Sequence, residues 1–198
     1  MNDVARPSED PKDTAILRAA FECFARYGLR RTSMEDIARG AGMSRPAIYL
    51  RFDGKEDIFR ALIRQHFTQA EAAVERALAA GGPADKVILA FFHALDGQAA
   101  EFMLTSPHAA ELLSGDGAFD HGEVREAEAR LVTLLAGWIA DGLDAGRLNL
   151  GGIAATAEEV AQTILAAKFG IKAASRDFPS YRAGEARLAG LLGRALTA

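Results

Sequence analysis

Residues 30–55 read RRTSMEDIARGAGMSRPAIYLRFDGK, and this stretch decides how the chain folds at its N-terminal end. Thr32 and Ser33 are both suited to cap a helix, because each has an acidic residue three positions later and so forms a capping box. Apolar residues then recur at helical spacing up to Gly42, where a positive φ costs glycine nothing. The pattern predicts a short helix that ends in a glycine turn.

A second short helix is predicted directly after that turn. Ser44 is suited to cap it, and Pro46 falls in its first turn, where the missing N–H is harmless. Ile48 and Phe52 lie four residues apart and point inward. The same spacing leaves four residues on the exposed side: Arg45, Ala47, Tyr49 and Arg51. Two helices joined in this way form a helix-turn-helix, whose second helix enters the major groove of DNA.

The charge distribution is compatible with a nucleic-acid partner, although the net charge is −4. Residues 1–60 hold 11 basic and 10 acidic side chains, whereas residues 61–198 hold 12 and 17. Phosphate attraction acts over about 8–10 Å, so a local basic patch matters more than the total charge. We therefore expect one end of the protein to bind DNA.

Composition excludes several other classes of protein. No uninterrupted apolar stretch approaches the roughly 18 residues of a membrane-spanning helix, and the polar N-terminus is not a secretory signal. The single cysteine, Cys23, excludes an intramolecular disulfide framework and is expected to pack in a core. These features predict a cytoplasmic protein that does not enter a membrane.

Helical periodicity continues through the rest of the chain, and no β-type alternation persists. We predict an all-α fold of about nine helices. Residues 1–12 are expected to be disordered, 13–60 to form the helix-turn-helix domain and 61–198 to form a second helical domain. The further predicted helices are Asp13–Tyr27, one from Asp53 to about residue 80, Ala84–Thr105, a short turn at His108–Leu113, Val124–Leu143, Thr156–Ala174 and Arg182–Leu196.

Residues 13–67 resemble the N-terminal DNA-binding domain of the TetR family of transcriptional regulators. The matching positions are Ala19, Ala20, Phe24, Ala25, Gly28, Thr32, Ser33, Met34, Asp36, Ile37, Ala38, Ala41, Gly42, Met43, Ser44, Ile48, Tyr49, Phe52, Lys55, Glu56, Ile58 and Phe59. Asp53 and Gly54 depart from the family pattern, in which this pair is often basic or neutral. The resemblance implies a ligand-responsive repressor that binds a palindromic operator in double-stranded DNA as a homodimer.

The resemblance also implies particular DNA contacts. Arg45 and Ala47 are expected to reach base edges, since Arg pairs with guanine and an Ala methyl packs on a thymine methyl. Thr32 and Ser33 are expected to contact a phosphate near a helix N-terminus. The remaining expected contacts come from Ser44, Pro46, Tyr49, Arg51 and Lys55, of which Arg51 and Lys55 are expected to bind phosphates.

The C-terminal region is expected to bind an effector and to form the dimer. An apolar pocket with few polar anchors suits an apolar or aromatic effector. Its candidate lining residues are Phe91, Phe92, Leu95, Phe102, Met103, Trp138 and Phe169. The candidate dimer-interface residues on the last two helices are Ile164, Lys168, Ile171, Leu188, Leu191 and Leu192.

Two alternatives stay open beside the ligand-responsive repressor. One is a DNA-binding activator or architectural protein that senses no effector. The more remote one is a helical enzyme, although the sequence offers no nucleophile paired with a base. His93, His108 and His121 match no metal-binding spacing, so we expect no metal and no cofactor.

Overall fold

A computed structural model of the chain describes residues 10–97, 100–108 and 121–197. Within these residues the secondary structure is entirely helical, which confirms the predicted all-α class. The helices are α1 Pro11–Tyr27, α2 Met34–Ala41, α3 Arg45–Tyr49, α4 Lys55–Ala79, α5 Ala84–Asp96, α6 Ala100–Thr105, α7 His121–Asp144, α8 Ala157–Ala174 and α9 Phe178–Ala195.

The described residues form two compact units. The N-terminal unit contains the chain from Asp10 to Thr68 together with residues 101–108 and 121–123, and the C-terminal unit contains the remainder. We predicted a boundary after residue 60, but α4 continues through that point to Ala79. The two units are therefore not two consecutive segments of the chain, as the predicted domains 13–60 and 61–198 are.

The N-terminal unit has one apolar core built from α1 to α4. Phe24 of α1 meets Phe59 of α4 edge to face, with ring centroids 5.6 Å apart. Ile37 of α2 and Ile48 of α3 are fully buried in the same core, and Phe52 packs against it. The inward positions predicted for Ile48 and Phe52 are therefore confirmed. Because each short helix contributes a buried side chain, the core fixes the orientation of α3.

Helix α2 crosses α1 at very short range. A Cβ added to Gly40 would lie only 3.1 Å from Cβ of Ala19, so a side chain here would require α1 to move by a few tenths of an ångström. Gly40 was not identified from the sequence, where it looked like one more residue of a short helix. Close approach of two helix backbones is a property of packing, and small residues permit it.

The C-terminal unit is built around α5, α7, α8 and α9. Its buried side chains include Phe91 and Phe92 of α5, Leu135 of α7 and Ile164 of α8. Helices α5 and α9 cross closely, because a Cβ added to Gly193 would lie 2.6 Å from the backbone nitrogen of Asp85. This crossing leaves no room for any side chain on α9 at that point.

Several predicted helix ends were wrong by a few residues, and in each case a local signal explains the difference. Helix α1 begins at Pro11 because Asp10 caps it, so the predicted disordered tail was too long. Helix α9 begins at Phe178 because Asp177 and Ser180 form a capping box. The turn predicted at His108–Leu113 lies largely outside the described residues.

The predicted helix Ala84–Thr105 is interrupted. Gly97 ends α5 with φ 57° and ψ −156°, a backbone conformation that L-residues rarely adopt, and α6 starts again at Ala100. Its end at Thr105, before Ser106 and Pro107, agrees with the prediction. Among the helices in the described ranges, none combines the length and apolarity that crossing a membrane requires.

Candidate nucleic-acid interface

Helix α2 begins with the capping box that the sequence predicts, and Ser33 rather than Thr32 forms it. The Asp36 N–H donates to Ser33 Oγ at 3.2 Å, and the Ser33 N–H donates to Asp36 Oδ2 at 3.1 Å. The Ser33 hydroxyl also donates to Asp36 at 2.5 Å. These hydrogen bonds lower the pKa of the Asp36 carboxyl, which therefore stays charged at the N-terminus of the helix.

Thr32 is placed differently from the prediction. Its side chain is buried, and its hydroxyl donates to the carbonyl oxygen of Gly28 at 2.7 Å. The hydroxyl therefore holds the loop after α1 together and is not presented to solvent. The expectation that this hydroxyl meets a phosphate was wrong in this conformation, because its one donor is already used.

Lys55 also contacts the loop before α2. Its Nζ donates to the carbonyl oxygens of Arg30 and Thr32, at 2.9 and 3.1 Å. An ammonium has three donors, so one remains for another acceptor. Lys55 thus positions the loop that carries Ser33, a role that residue spacing did not reveal.

The turn between α2 and α3 has the predicted geometry. Gly42 adopts φ 64° and ψ 30°, in the left-handed region, and Met43 N–H donates to the carbonyl oxygen of Ala38 at 3.0 Å. Ser44 then caps α3 through a hydrogen bond of 3.4 Å from the Ala47 N–H to its Oγ. Pro46 lies in the first turn, as predicted.

The outer face of α3 carries most of the predicted base-reading residues. Ser44, Arg45, Pro46 and Tyr49 are exposed, and Ala47 is half-buried. The guanidinium of Arg45 lies 5.5 Å from the centroid of the Tyr49 ring, and its Nη2 is 3.4 Å from the Tyr49 hydroxyl. This contact restricts two long side chains without cancelling the positive charge of Arg45.

Leu50 is a further residue of this face that the sequence did not single out. It is 87% exposed, an unusual environment for leucine. Hydrophobicity alone would place such a residue in a core. Its position between Tyr49 and Arg51, which were both placed outside, was the signal that could have identified it.

Arg51 is a further residue of the predicted interface that has partners inside the protein. Its Nη1 lies 2.5 Å from Asp13 Oδ1, and its Nη2 contacts Asp10 Oδ2. Both acids belong to the start of α1, and the guanidinium is only partly exposed. The predicted phosphate contact therefore involves a side chain that two carboxylates already hold.

The residues predicted to line an effector pocket do not share one environment. Phe91 and Phe92 are fully buried, Leu95 is nearly so and Trp138 is half-buried. Phe169 is 44% exposed and so is not enclosed in the core with Phe91 and Phe92. The side chains of Phe102 and Met103 lie outside the described part of the chain.

A buried polar cluster in the C-terminal unit overturns another prediction. Lys168 is 1% exposed, and its Nζ contacts Asp96 Oδ1 at 2.6 Å and the Tyr181 hydroxyl at 2.5 Å. Arg182 and Glu185 complete the cluster. A charged group at the centre of one protomer cannot lie in a dimer interface, so the assignment of Lys168 was wrong. Ile164 is likewise buried within the protomer.

The other predicted interface residues surround a surface groove. The groove has a volume of about 510 Å³ and lies along α8 and α9. Its lining residues are Ile171, Ala174, Ser175, Arg176, Asp177, Ser180, Gly184, Arg187, Leu188 and Leu191. Leu191 is 67% exposed, and Leu192 is half-buried. The groove therefore presents apolar side chains to solvent.

The N-terminal unit thus has the architecture of a helix-turn-helix DNA-binding domain, with a capped α2, a glycine turn and an exposed cationic α3. The family model of bacterial regulatory proteins of the tetR family matches residues 16–62. This match covers α2, α3 and the helices on either side. Residues 16–62 are therefore similar to the DNA-binding domain of the tetR family.

A curated relative is similar to part of the chain. The HTH-type transcriptional regulator EthR of Mycobacterium tuberculosis is 38% identical over 81 residues, which is 41% of this chain and 37% of that protein. The matched part thus spans little more than a third of the length of this curated relative.

Solved structures resemble the fold over nearly the whole chain. A transcriptional regulator from Cytophaga hutchinsonii has a TM-score of 0.71 at 20% identity, with 96% of this chain and 100% of that chain covered. The fatty acid degradation regulator FadR from Bacillus halodurans has a TM-score of 0.67 at 18% identity, with 93% and 96% covered. At such identities the likeness establishes the fold.

Proposed function

We propose that the protein is a regulator of transcription that reads an operator in double-stranded DNA with α3. The observation that carries this proposal is the exposed, positively charged face of Arg45 and Tyr49 on a capped helix. The core beneath that face, with Ile48 buried in it, holds the helix in one orientation. A rigid helix with an exposed Arg is the usual means of reading base edges.

The roles of individual residues follow from their positions. Arg45 is the candidate for a paired contact with guanine, and Ala47 for contact with a thymine methyl. Ser44, Pro46 and Tyr49 surround them and contact the sugar–phosphate backbone. Lys55 keeps one donor for a phosphate beside the N-terminus of α2, and the Ser33 hydroxyl can bind the same phosphate if it exchanges Asp36 for it.

We propose that two copies of the chain pair through the groove of α8 and α9. Ile171, Leu188 and Leu191 expose apolar surface there, and a second copy would remove it from water. A two-fold axis through such an interface relates two copies of α3. The operator is then expected to be palindromic, because its symmetry mirrors that of the dimer.

We further propose an apolar or aromatic effector for the C-terminal unit. The apolar residues of α5 and the half-buried Trp138 favour that class over a polar ligand. A protein of similar fold, FadR, is described as a regulator of fatty acid degradation, and fatty acids are apolar molecules of the proposed class. Repression of transcription, acting in the bacterial cytoplasm, is the form of regulation that we propose.

The complete burial of Phe91 and Phe92 favours one alternative. A tightly filled core leaves little room for a ligand, so a DNA-binding activator or architectural protein without an effector is the second candidate. Thermal denaturation with a panel of fatty acids and aromatic compounds separates the two. A compound that raises the melting temperature and changes DNA affinity supports the sensor, because coupled binding must affect both equilibria.

Selection of bound duplexes from a random-sequence pool, with the purified full chain, tests the proposed function. A palindromic consensus is expected. Arg45→Ala should weaken binding to the selected duplex by about 10- to 100-fold and to random duplex far less, since base contacts carry the discrimination.

Arg125→Ala on α7 removes the same charge from an exposed position and serves as the control. It should change both affinities little and equally. Equal losses on selected and random DNA for Arg45→Ala would contradict the assignment of Arg45. The absence of any enriched sequence would contradict the proposed function itself.

A further inference from the structure

We propose that Asp10 and Asp13 restrain Arg51 and thereby lower the affinity of the protein for DNA. The two carboxylates compete with a DNA phosphate for the same guanidinium. This inference rests on the proposed function, because it concerns how tightly the helix-turn-helix binds DNA. It assigns a role in DNA binding to the first turn of α1, which carries no base-reading residue.

The guanidinium of Arg51 is held by two carboxylates at once. Each terminal nitrogen of Arg51 contacts a different carboxylate, Nη1 that of Asp13 and Nη2 that of Asp10. Asp10 is the N-cap of α1 and Asp13 lies in its first turn, so one helix end supplies both acids. Arg51 follows the exposed Tyr49 and Leu50 at the end of α3. The restraint is therefore at the edge of the face that meets DNA.

The two carboxylates offset the positive charge of Arg51. One guanidinium pairs with two carboxylates close to the expected path of the phosphate backbone. Arg45 differs in this respect, because its contact is the neutral phenol of Tyr49. Within the same helix-turn-helix, one arginine keeps its positive charge available and the other is paired with carboxylates.

Binding of DNA changes the acceptors of Arg51 without moving a proton. Phosphate oxygens replace carboxylate oxygens as partners of the Nη atoms, and the guanidinium remains charged throughout. The released carboxylates then face the phosphate and repel it. Both effects oppose binding, and both act on DNA of any sequence because the phosphate backbone carries no sequence information.

The restraint is expected to matter more for DNA binding than for folding. Ion pairs that water can reach contribute little to stability, because solvent and salt screen them. Arg51 is 24% exposed and Asp10 is 39% exposed, so water reaches this cluster. Variants at these positions should therefore fold normally, and their DNA affinity can be compared directly.

The test uses Asp10→Asn with Asp13→Asn in the full-length protein. Asparagine keeps the shape of the side chain and caps a helix as well as aspartate does. The probe is a labelled random-sequence duplex of about 30 base pairs, long enough for two half-sites. Fluorescence anisotropy at several concentrations between about 50 and 200 mM salt gives the affinity and its salt dependence.

The double variant should bind this duplex roughly 10-fold more tightly, and the slope of log K against log salt should steepen by about one phosphate contact. Arg51→Ala should weaken the wild type by only about 2- to 3-fold, through the charge that it removes, since the carboxylates already occupy the guanidinium there. In the double-variant background the same change should cost roughly 10-fold, because Arg51 is then free to bind a phosphate. This dependence on background is the signature of competition.

Asp141→Asn with Asp144→Asn is the matched control, since it makes the same charge change at two exposed positions of α7. It should leave the affinity nearly unchanged. The inference is overturned if this control tightens binding equally, or if Arg51→Ala costs the same in both backgrounds. If the wild type binds DNA and either of these results is found, only the restraint is refuted. If neither the wild type nor any variant shows salt-dependent binding, the proposed function is refuted as well.

Discussion

Lys55 determines how the loop before α2 is held. Its two hydrogen bonds go to the carbonyl oxygens of Arg30 and Thr32, and Thr32 in turn donates to Gly28. These contacts fix the backbone that carries Ser33. A residue predicted to bind DNA directly therefore also acts on DNA binding through the loop that it orders.

We expect Lys55→Met to lower the free energy of unfolding by about 1 kcal/mol, because two backbone carbonyls lose a charged donor. Urea denaturation followed by circular dichroism measures this change. Lys86→Met on α5 is the control, since Lys86 is exposed, and it should change stability by less than about 0.5 kcal/mol. A Lys55→Met protein as stable as this control would contradict the positioning role.

His93 is the residue expected to make stability depend on pH near neutrality. Partial burial lowers the pKa of its imidazole, and the charge of Arg182 lowers it further. Lys168 acts in the same direction, whereas Glu185 and Asp96 act against it. The folded state thus takes up a proton at lower pH than the unfolded state does.

Stability falls as the pH falls, because the pKa of His93 is lower in the folded state than in the unfolded state. The unfolded chain protonates near the ordinary pKa of 6.5 and binds more protons than the folded chain just below it. Stability contributed by His93 is therefore present above that pH and is lost as the pH falls through it. Urea denaturation at about pH 7.5 and 5.5 should show a smaller decline for His93→Gln than for the wild type. An equal decline in both proteins would contradict this assignment.

At the scale of helices, α5 and α9 cross with their backbones very close together at Gly193. Gly193 faces the backbone of Asp85 so closely that a methyl group would overlap the main chain. Main-chain atoms cannot move aside as a flexible side chain can. The crossing therefore requires glycine, the residue without a Cβ, at position 193.

We expect Gly193→Ala to lower the free energy of unfolding by about 1–3 kcal/mol, the usual effect of overpacking. Gly190 on the same helix has open space around its added Cβ, so Gly190→Ala should raise stability by about 0.5–1 kcal/mol. Thermal and urea denaturation of both variants measures the difference. Stabilisation by both changes would show that α5 and α9 are not packed this closely.

The buried polar cluster is the second feature that depends on how helices meet. Asp96 comes from α5, Lys168 from α8, and Tyr181, Arg182 and Glu185 come from α9. Desolvation and the neighbouring carboxylates raise the pKa of the Tyr181 phenol, so it remains a neutral donor. Paired charges of this kind favour one relative arrangement of the three helices, since any other would leave a charge buried without a partner.

At the scale of the whole molecule, an acidic chain presents a local basic surface to DNA. The proposed dimer would present this surface twice, which a palindromic operator requires. The groove of α8 and α9 is the surface on which this arrangement depends. Its Leu191 is therefore the residue at which to test it.

We expect Leu191→Glu to convert the dimer to a monomer, because two carboxylates would be buried against apolar surface. Light scattering after size-exclusion chromatography measures the mass. Ile153→Glu is the control, since Ile153 is 65% exposed and is not among the residues that line the groove. A Leu191→Glu protein that remains dimeric would place the interface elsewhere.

The sequence by itself determined the features that rest on neighbouring residues. The Ser33 capping box, the Gly42 turn and the Ser44 cap each depend on residues within about four positions, so spacing predicts them. The same reasoning predicted the all-α class and a helix from Thr156 to Ala174, and in the structure Thr156 is the N-cap of this helix. Helix periodicity also placed Ile48 and Phe52 in the core correctly.

Only the tertiary structure decided which side chains are available. Arg51 finds its acids about 40 positions away, and Lys168 finds Asp96 72 positions away. No periodicity encodes such pairs, because they arise only when packed helices bring distant residues together. The exposure of Phe169 and Leu50 was decided in the same way, since hydrophobicity states a preference and packing determines whether there is room to satisfy it.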